Sequence, residues 1–213
     1  MTVSLSATRL SVSTLALTAM LAFTAPPTLA QAQSSHVIIL PDASSSYRGA
    51  VDEAFARRVA GDVVDRMPEL PMRSKVTIQP LGEYGARNAV REAVVSRRFP
   101  AQAAMQSITG MIAGFPAMVS RDGTQQATNI LGTLDQVARR MDCAAQDGHV
   151  FVLSDGIETG QSMTLPRSPV FEGCASFTII GVMGQTPAQT QELGDFWMRW
   201  CAQAGFSRCD WLS

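Results

Sequence analysis

Residues 36–46 read His36-Val-Ile-Ile-Leu-Pro-Asp42-Ala-Ser44-Ser-Ser46. The run from His36 to Leu40 is short, apolar and β-branched, the pattern of a strand buried on both faces. It gives way at once to a carboxylate and three hydroxyls. A second run, His149-Val-Phe-Val-Leu153, ends in the same manner on Ser154-Asp155-Gly156. Two buried strands that each deliver an Asp at their carboxyl end are the central feature of this chain.

Between and beyond them, helical and strand patterns alternate. Val51, Phe55, Val59, Val63 and Met67 recur every fourth residue and predict a helix over 47–67, stopped by Pro68 and Pro71. Lys75–Leu81 reads as a strand whose end is irregular or at an edge because of Pro80. Ala86–Arg98 reads as a helix, with Arg87, Arg91, Arg97 and Arg98 on a solvated face or a partner-binding patch. From Phe99 to Ser120 no residue is charged. Met105, Ile108, Met111, Ile112 and Phe115 predict a largely buried helix with a loose end there, and Asp122-Gly123 a turn. A helix is expected over Thr128–Cys143, a strand over Ser176–Met183 and a last helix from Pro187 to Ala204, capped by Gly205. Strands separated by helices imply an α/β fold: a doubly wound, mostly parallel sheet flanked by helices, as in Rossmann-like proteins.

In such sheets ligands bind at the carboxyl ends of the strands. The loops after Leu40 and Leu153 and the helix opening at Ala127-Thr128-Asn129-Ile130 are therefore expected on one edge. Together they offer two carboxylates and three hydroxyls, an all-oxygen set suited to a hard divalent cation. An alternative role for Asp42 and the serines is to cap the first helix. Glu158 is a third consideration, because it could reach back and occupy the site itself.

The pattern Asp42-x-Ser44-x-Ser46 after an apolar strand, then Thr128 at a helix start, then a strand-terminal Asp155-Gly156, resembles the metal-ion-dependent adhesion site of a von Willebrand factor type A domain. The resemblance spans roughly residues 36–205. It implies that Asp42, Ser44, Ser46, Thr128 and Asp155 hold Mg²⁺, with Mn²⁺ or Ca²⁺ as other candidates. The hydroxyls would ligate directly, and the carboxylates directly or through water. Thr128 is preferred to Thr124 as the threonine because Asn129-Ile130 and the helix follow it immediately. The implied function is a protein-binding module in which an Asp or Glu of a partner completes the metal shell.

Residues 1–32 carry one charge, Arg9, and no acid. The apolar run from Leu10 to Phe23, then Pro26-Pro27 and Ala30-Gln31-Ala32, form the layout of a bacterial-type signal peptide. The run is shorter than the about 20 residues of a membrane span. A periplasmic or secreted domain over 33–213, with no stable membrane insertion after cleavage, is the expectation. Cys143, Cys174, Cys201 and Cys209 all follow that segment and favour disulfides in an oxidising compartment. Three pairings are open. Cys201–Cys209 would close a short loop and leave Cys143 with Cys174, at the end of the sheet away from the Asp loops.

A net charge of −1 removes the electrostatic footprint of a nucleic-acid binder. Enzyme signatures are missing from the sequence: no G-x-S-x-G elbow, no phosphate-binding Gly-Lys loop and no G-x-G-x-x-G. His36 and His149 both begin strands, away from the Asp loops. A non-enzymatic module is therefore expected. The alternatives are a metal-dependent phosphoesterase or other hydrolase, or a structural subunit of an envelope or transfer apparatus.

Overall fold

A computed structural model describes residues 33–81 and 91–213. The signal peptide expected over residues 1–32 and the start of the helix expected from Ala86 lie outside the described residues. The elements run β1 (Ser35–Pro41), a 3₁₀ turn (Arg48–Ala50), α1 (Glu53–Arg66), β2 (Lys75–Ile78), β3 (Arg91–Val94), α2 (Ala101–Ala113), α3 (Phe115–Asp122), α4 (Ile130–Ala138), β4 (Asp147–Leu153), β5 (Ser176–Ile180), α5 (Pro187–Ala204) and β6 (Arg208–Leu212). The six strands form one sheet in the order β3-β2-β1-β4-β5-β6. Every pairing is parallel except β2 with β3.

The pleat of β1 divides the core. Val37 and Ile39 join an apolar cluster with Phe55, Val59 and Val63 of α1, Ile108 and Ile112 of α2, and Val119 of α3. Ile38 and Leu40 join a second cluster with Ile130, Leu134 and Val137 of α4 and with Leu193, Trp197 and Trp200 of α5. Successive residues of one strand thus serve two separate cores, and β1 is buried along its whole length. A strand placed so needs the unbroken apolar run that this sequence carries.

Several helices differ from their expected bounds for identifiable reasons. α1 begins six residues later than Tyr47 because Asp52 caps it, its carboxylate accepting from the Ala54 and Phe55 N–H groups at 2.9 and 3.0 Å. Val51, the first residue of the expected stripe, is 58% exposed. The uncharged segment is two helices, α2 and α3, hinged at Gly114, with Pro116 tolerated in the first turn of α3. α4 is shorter than the Thr128–Cys143 helix: Asn129 caps it by accepting from Gly132 N–H at 2.8 Å, and it ends at Ala138.

The segment 91–94 is a strand where a helix was expected. It pairs antiparallel with β2, Ile78 opposite Arg91 and Lys75 opposite Val94. Lys75 Nζ meets Glu92 Oε1 at 2.7 Å across the diagonal of that pair. Helix propensity is a weak prior that sheet pairing overrides. β6 was not foreseen. Its signal is the alternation Cys209, Trp211 against Leu212, which send side chains to opposite clusters.

Both disulfides match the pairing with the short loop: Cys143–Cys174 and Cys201–Cys209. They brace the amino-terminal ends of β4, β5 and β6. The sequence separations are 31 and 8 residues. Removing a crosslink typically costs about 2–4 kcal/mol and more for a longer loop. Denaturant unfolding should therefore show Cys143→Ala/Cys174→Ala less stable than Cys201→Ala/Cys209→Ala. The reverse order would contradict the loop-entropy account.

The two histidines are buried near the same end. His36 Nε2 lies 3.3 Å from Thr77 Oγ1, and His149 Nδ1 lies 2.8 Å from Ser176 Oγ. Burial lowers the pKa of both below the ordinary 6.5, with Lys75 adding to the effect at His36 and Asp147 opposing it at His149. The unfolded chain then binds more protons than the folded one between the lowered values and 6.5. Stability is full above about pH 7 and falls as pH drops through 6.5 towards the folded values. Thermal melts from pH 7.5 to 5 should show this decline, and His149→Gln should flatten it. A flat profile in the wild type would refute it.

Candidate functional site

Asp42 and Asp155 stand on adjacent parallel strands, β1 and β4, at their carboxyl ends. Asp42 N–H donates to Leu153 O at 2.8 Å, which continues the β1–β4 ladder to the first carboxylate. Ser154 N–H donates to Ile180 O at 3.1 Å and Met183 N–H donates to Asp155 O at 3.0 Å, tying the second carboxylate to β5. Each carboxylate is thus carried on backbone that the sheet has already immobilised.

Asp42 is fully buried and collects donors on both oxygens. Oδ1 accepts from Ser44 N–H at 2.8 Å and from Gln125 Nε2 at 3.1 Å. Oδ2 accepts from Ser154 Oγ at 2.7 Å. Thr128 Oγ1 lies 3.5 and 3.4 Å from the two oxygens, 86 residues away in sequence. Ser44 Oγ and Ser46 Oγ are 3.2 Å apart, and the Ser46 side chain helps to hold down the Asp155 pKa. Asp155 Oδ1 accepts from Ile157 N–H at 2.9 Å and lies 3.5 Å from Ser154 Oγ. Asp42, Ser44, Ser46, Thr128 and Asp155 therefore gather in one oxygen cluster, with Ser154 Oγ between the two carboxylates, donating to Asp42. Ser44, Thr128 and Asp155 are buried, and Ser46 is exposed at the rim.

The loops are knitted to one another rather than merely adjacent. Thr128 N–H donates to Thr159 Oγ1 at 2.7 Å, and Thr128 O accepts from the N–H groups of Thr159 and Gly160 at 3.0 and 2.9 Å. Ser44 pairs with Gln125 in an isolated parallel bridge. The exposed Thr124 is not among the partners of Asp42, whereas Thr128 Oγ1 lies within 3.5 Å of it. Gly156 has φ +81°, and a Cβ there would lie 3.0 Å from Trp197 Nε1. That indole donates to Gly156 O at 3.0 Å and anchors the Asp155 loop on α5.

Two alternative roles are corrected. The Asp42 loop does not cap α1, because Asp52 does. Glu158 does not reach back to the site. Its Oε2 accepts from Leu131 N–H at 2.9 Å, where a carboxylate complements the start of α4, and its Oε1 accepts from Gly160 N–H at 3.0 Å.

Sequence reasoning missed three contributors. Ser154 looked like part of the strand end, yet its hydroxyl donates to Asp42 and stands between the two carboxylates. Gln125 carried no signal, being one polar residue in a loop. Tyr47 is buried beside the carboxylates. Burial first, then Asp42 and Asp155, drive its pKa far above the ordinary phenol value, so it stays neutral.

Asp155 has its pKa raised, chiefly by burial, with the Asp42 charge adding to it and the bonds from Ile157, Ser46 and Ser154 opposing. Among the described residues, neither Asp42 nor Asp155 has a Lys or Arg within ion-pair distance. No group of three or more His, Cys, Asp or Glu gathers as a metal cluster among the described residues. The donors here are instead two carboxylates and a set of hydroxyls. That chemistry fits a hard divalent cation, which oxygen ligands hold and which two carboxylates neutralise.

No protein-family model and no curated protein matches the chain. Among solved structures it is similar to the D319A mutant of the PilB minor pilin from Streptococcus sanguinis, at 11% identity and TM-score 0.44, over 88% of this chain and 59% of that one. It is also similar to the human COPII-coat protein Sec24c, at 9% identity and TM-score 0.43, over 85% of this chain and 30% of that one. The chain thus spans less than two thirds of either protein.

Proposed function

We propose that this chain is an exported protein-binding module that resembles a von Willebrand factor type A domain. On this reading its sheet is doubly wound, and Asp42, Ser44, Ser46, Thr128 and Asp155 hold Mg²⁺, with Mn²⁺ or Ca²⁺ able to substitute. The observation that carries the reading is the pair of buried carboxylates on neighbouring strand ends, ringed by hydroxyls and lacking a basic ion-pair partner among the described residues. Burying uncompensated negative charge is costly, and a bound cation removes the cost. Hydroxyl ligands add no charge, so the ion keeps its attraction for a further carboxylate. The exposed Ser46 marks the side from which an Asp or Glu of a protein partner would approach.

When bound, the ion supplies a Lewis-acidic anchor for that carboxylate. The chain's own residues position it: Thr128 through Thr159 and Gly160, Asp155 through Trp197 and Ile157, and Asp42 through the β1–β4 ladder. Hydrolytic use of the same ion would need a base at its side, and the two histidines are bonded to Thr77 and Ser176 at the other end of the sheet. Export is supported by the leader-like residues 1–32 and by two disulfides, which persist in oxidising compartments. No described helix is long and apolar enough to cross a membrane.

The test is capture of partners from a cell-envelope fraction on immobilised protein, in Mg²⁺ and in EDTA, with Asp155→Ala beside the wild type. The expected result is a band retained by the wild type in Mg²⁺ and lost in EDTA and with the variant. Capture that is equal in all three settings would exclude metal-dependent binding.

A further inference from the structure

Gln125 is held against the cluster by backbone as well as side chain. Its N–H donates to Ala43 O at 3.1 Å, and it forms the parallel bridge with Ser44. Its Nε2 donates to Asp42 Oδ1 at 3.1 Å. A carboxylate oxygen only accepts, so the amide must present its nitrogen there and its oxygen elsewhere. That oxygen, Oε1, is buried and has no hydrogen-bond partner among the described residues. Buried acceptors in folded proteins are satisfied in the great majority of cases, by protein or by ordered water. The neighbouring side-chain oxygens are already engaged: Ser44 Oγ with Ser46 Oγ, Ser154 Oγ with Asp42 and Thr128 Oγ1 with Asp42. What is missing beside Asp42 is a donor.

We propose that Gln125 is a positioning residue of the cation site, its amide oxygen accepting from a water carried by the bound ion while its amide nitrogen holds Asp42. This rests on the metal reading above. A cation-bound water is a strong donor, and Mg²⁺ in particular keeps several waters in its shell. Gln125 therefore has two opposed duties. Its nitrogen orients an acidic group in the empty site, and its oxygen is satisfied only when a hydrated ion is present. Outer-shell partners of this kind commonly carry a 10–100-fold share of metal affinity.

The experiment uses the mature chain, titrated with MgCl₂ by calorimetry and melted in EDTA and in MgCl₂. Gln125→Met keeps the length of the side chain and removes both amide functions. Gln125→Glu keeps an acceptor, removes the donor and adds a negative charge beside Asp42. Gln125→Met should weaken Mg²⁺ binding about 10–100-fold. Gln125→Glu should melt below the wild type in EDTA, yet show a larger rise than the wild type on adding Mg²⁺. That crossing places position 125 beside the ion, and the affinity lost in Gln125→Met shows that its amide serves the ion. If Gln125→Met binds Mg²⁺ within twofold of the wild type, or if Gln125→Glu loses Mg²⁺ response in step with its loss of stability, the proposal is overturned. A wild type that gives no Mg²⁺ heat and no shift in melting overturns the metal reading and this inference with it.

Discussion

Asp42→Asn is expected to abolish the response to Mg²⁺ while leaving the metal-free protein at least as stable as the wild type. The substitution retains Oδ1 as an acceptor for Ser44 N–H and Gln125 Nε2. Where Oδ2 stood, the new amide nitrogen faces Ser154 Oγ and Thr128 Oγ1, and hydroxyls can rotate to accept. The Ser154 proton then turns to Asp155 Oδ1, 3.5 Å away, Thr128 Oγ1 keeps Oδ1 as its acceptor, and one buried negative charge disappears from beside Asp155. The cost falls on the ion, which loses half of its neutralising charge. At a Mg²⁺ concentration 100-fold above its dissociation constant, the wild type gains about 2.7 kcal/mol. For a chain of this size that is a rise of about 5–10 °C in Tm. Scanning calorimetry in EDTA and in MgCl₂ reads both halves of the prediction. A variant that keeps the Mg²⁺ shift, or that melts well below the wild type in EDTA, would refute the assignment of Asp42.

Trp197→Ala is expected to be the most destabilising single change in the described chain, costing about 3–5 kcal/mol. Trp197 is fully buried on α5. Its ring lies 5.2 to 6.2 Å, centroid to centroid, from Phe196, Trp200 and Phe177. Its indole N–H holds Gly156 O, next to Asp155. Trp197→Phe separates the two contributions. It keeps most of the packing and leaves one buried carbonyl without its donor, a penalty of about 1–3 kcal/mol. Urea unfolding should rank wild type above Trp197→Phe above Trp197→Ala. Equal stability of the two variants would mean that the hydrogen bond, not the packing, carries the effect.

The parts of this fold that were legible in the chain are those written as continuous local pattern. The runs 37–40 and 150–153 read as strands buried on both faces, since they are short, rich in β-branched residues and interrupted by no polar residue. Phe55, Val59 and Val63, and likewise Leu193, Trp197 and Trp200, announce their helices by spacing alone. What was misread depended on pairing. Arg91–Val94 has no intrinsic preference strong enough to compete with the open edge of β2. β6 is five residues long and acquires its identity from β5 beside it. Asp52 outcompeted Tyr47 as a helix start because a carboxylate poised over free N–H groups ends the ambiguity that hydrophobic spacing leaves. Within the site, the motif residues were readable because order along the chain and strand-end position suffice to bring them near one another. Ser154 and Gln125 were not, because a hydrogen bond across 112 or 83 residues leaves no trace in local sequence.

The amino-acid sequence determined on its own that this chain builds an α/β sheet and that two strands terminate in Asp, because periodicity and burial are local properties of residue order. Only the tertiary structure decided that Asp52 rather than Asp42 caps α1, that Glu158 serves the start of α4, and that the two strand-end carboxylates stand on either side of Ser154 with no ion pair to a described basic side chain. Those outcomes turn on which groups meet across long loops, and they follow from the distances that β1–β4 adjacency imposes.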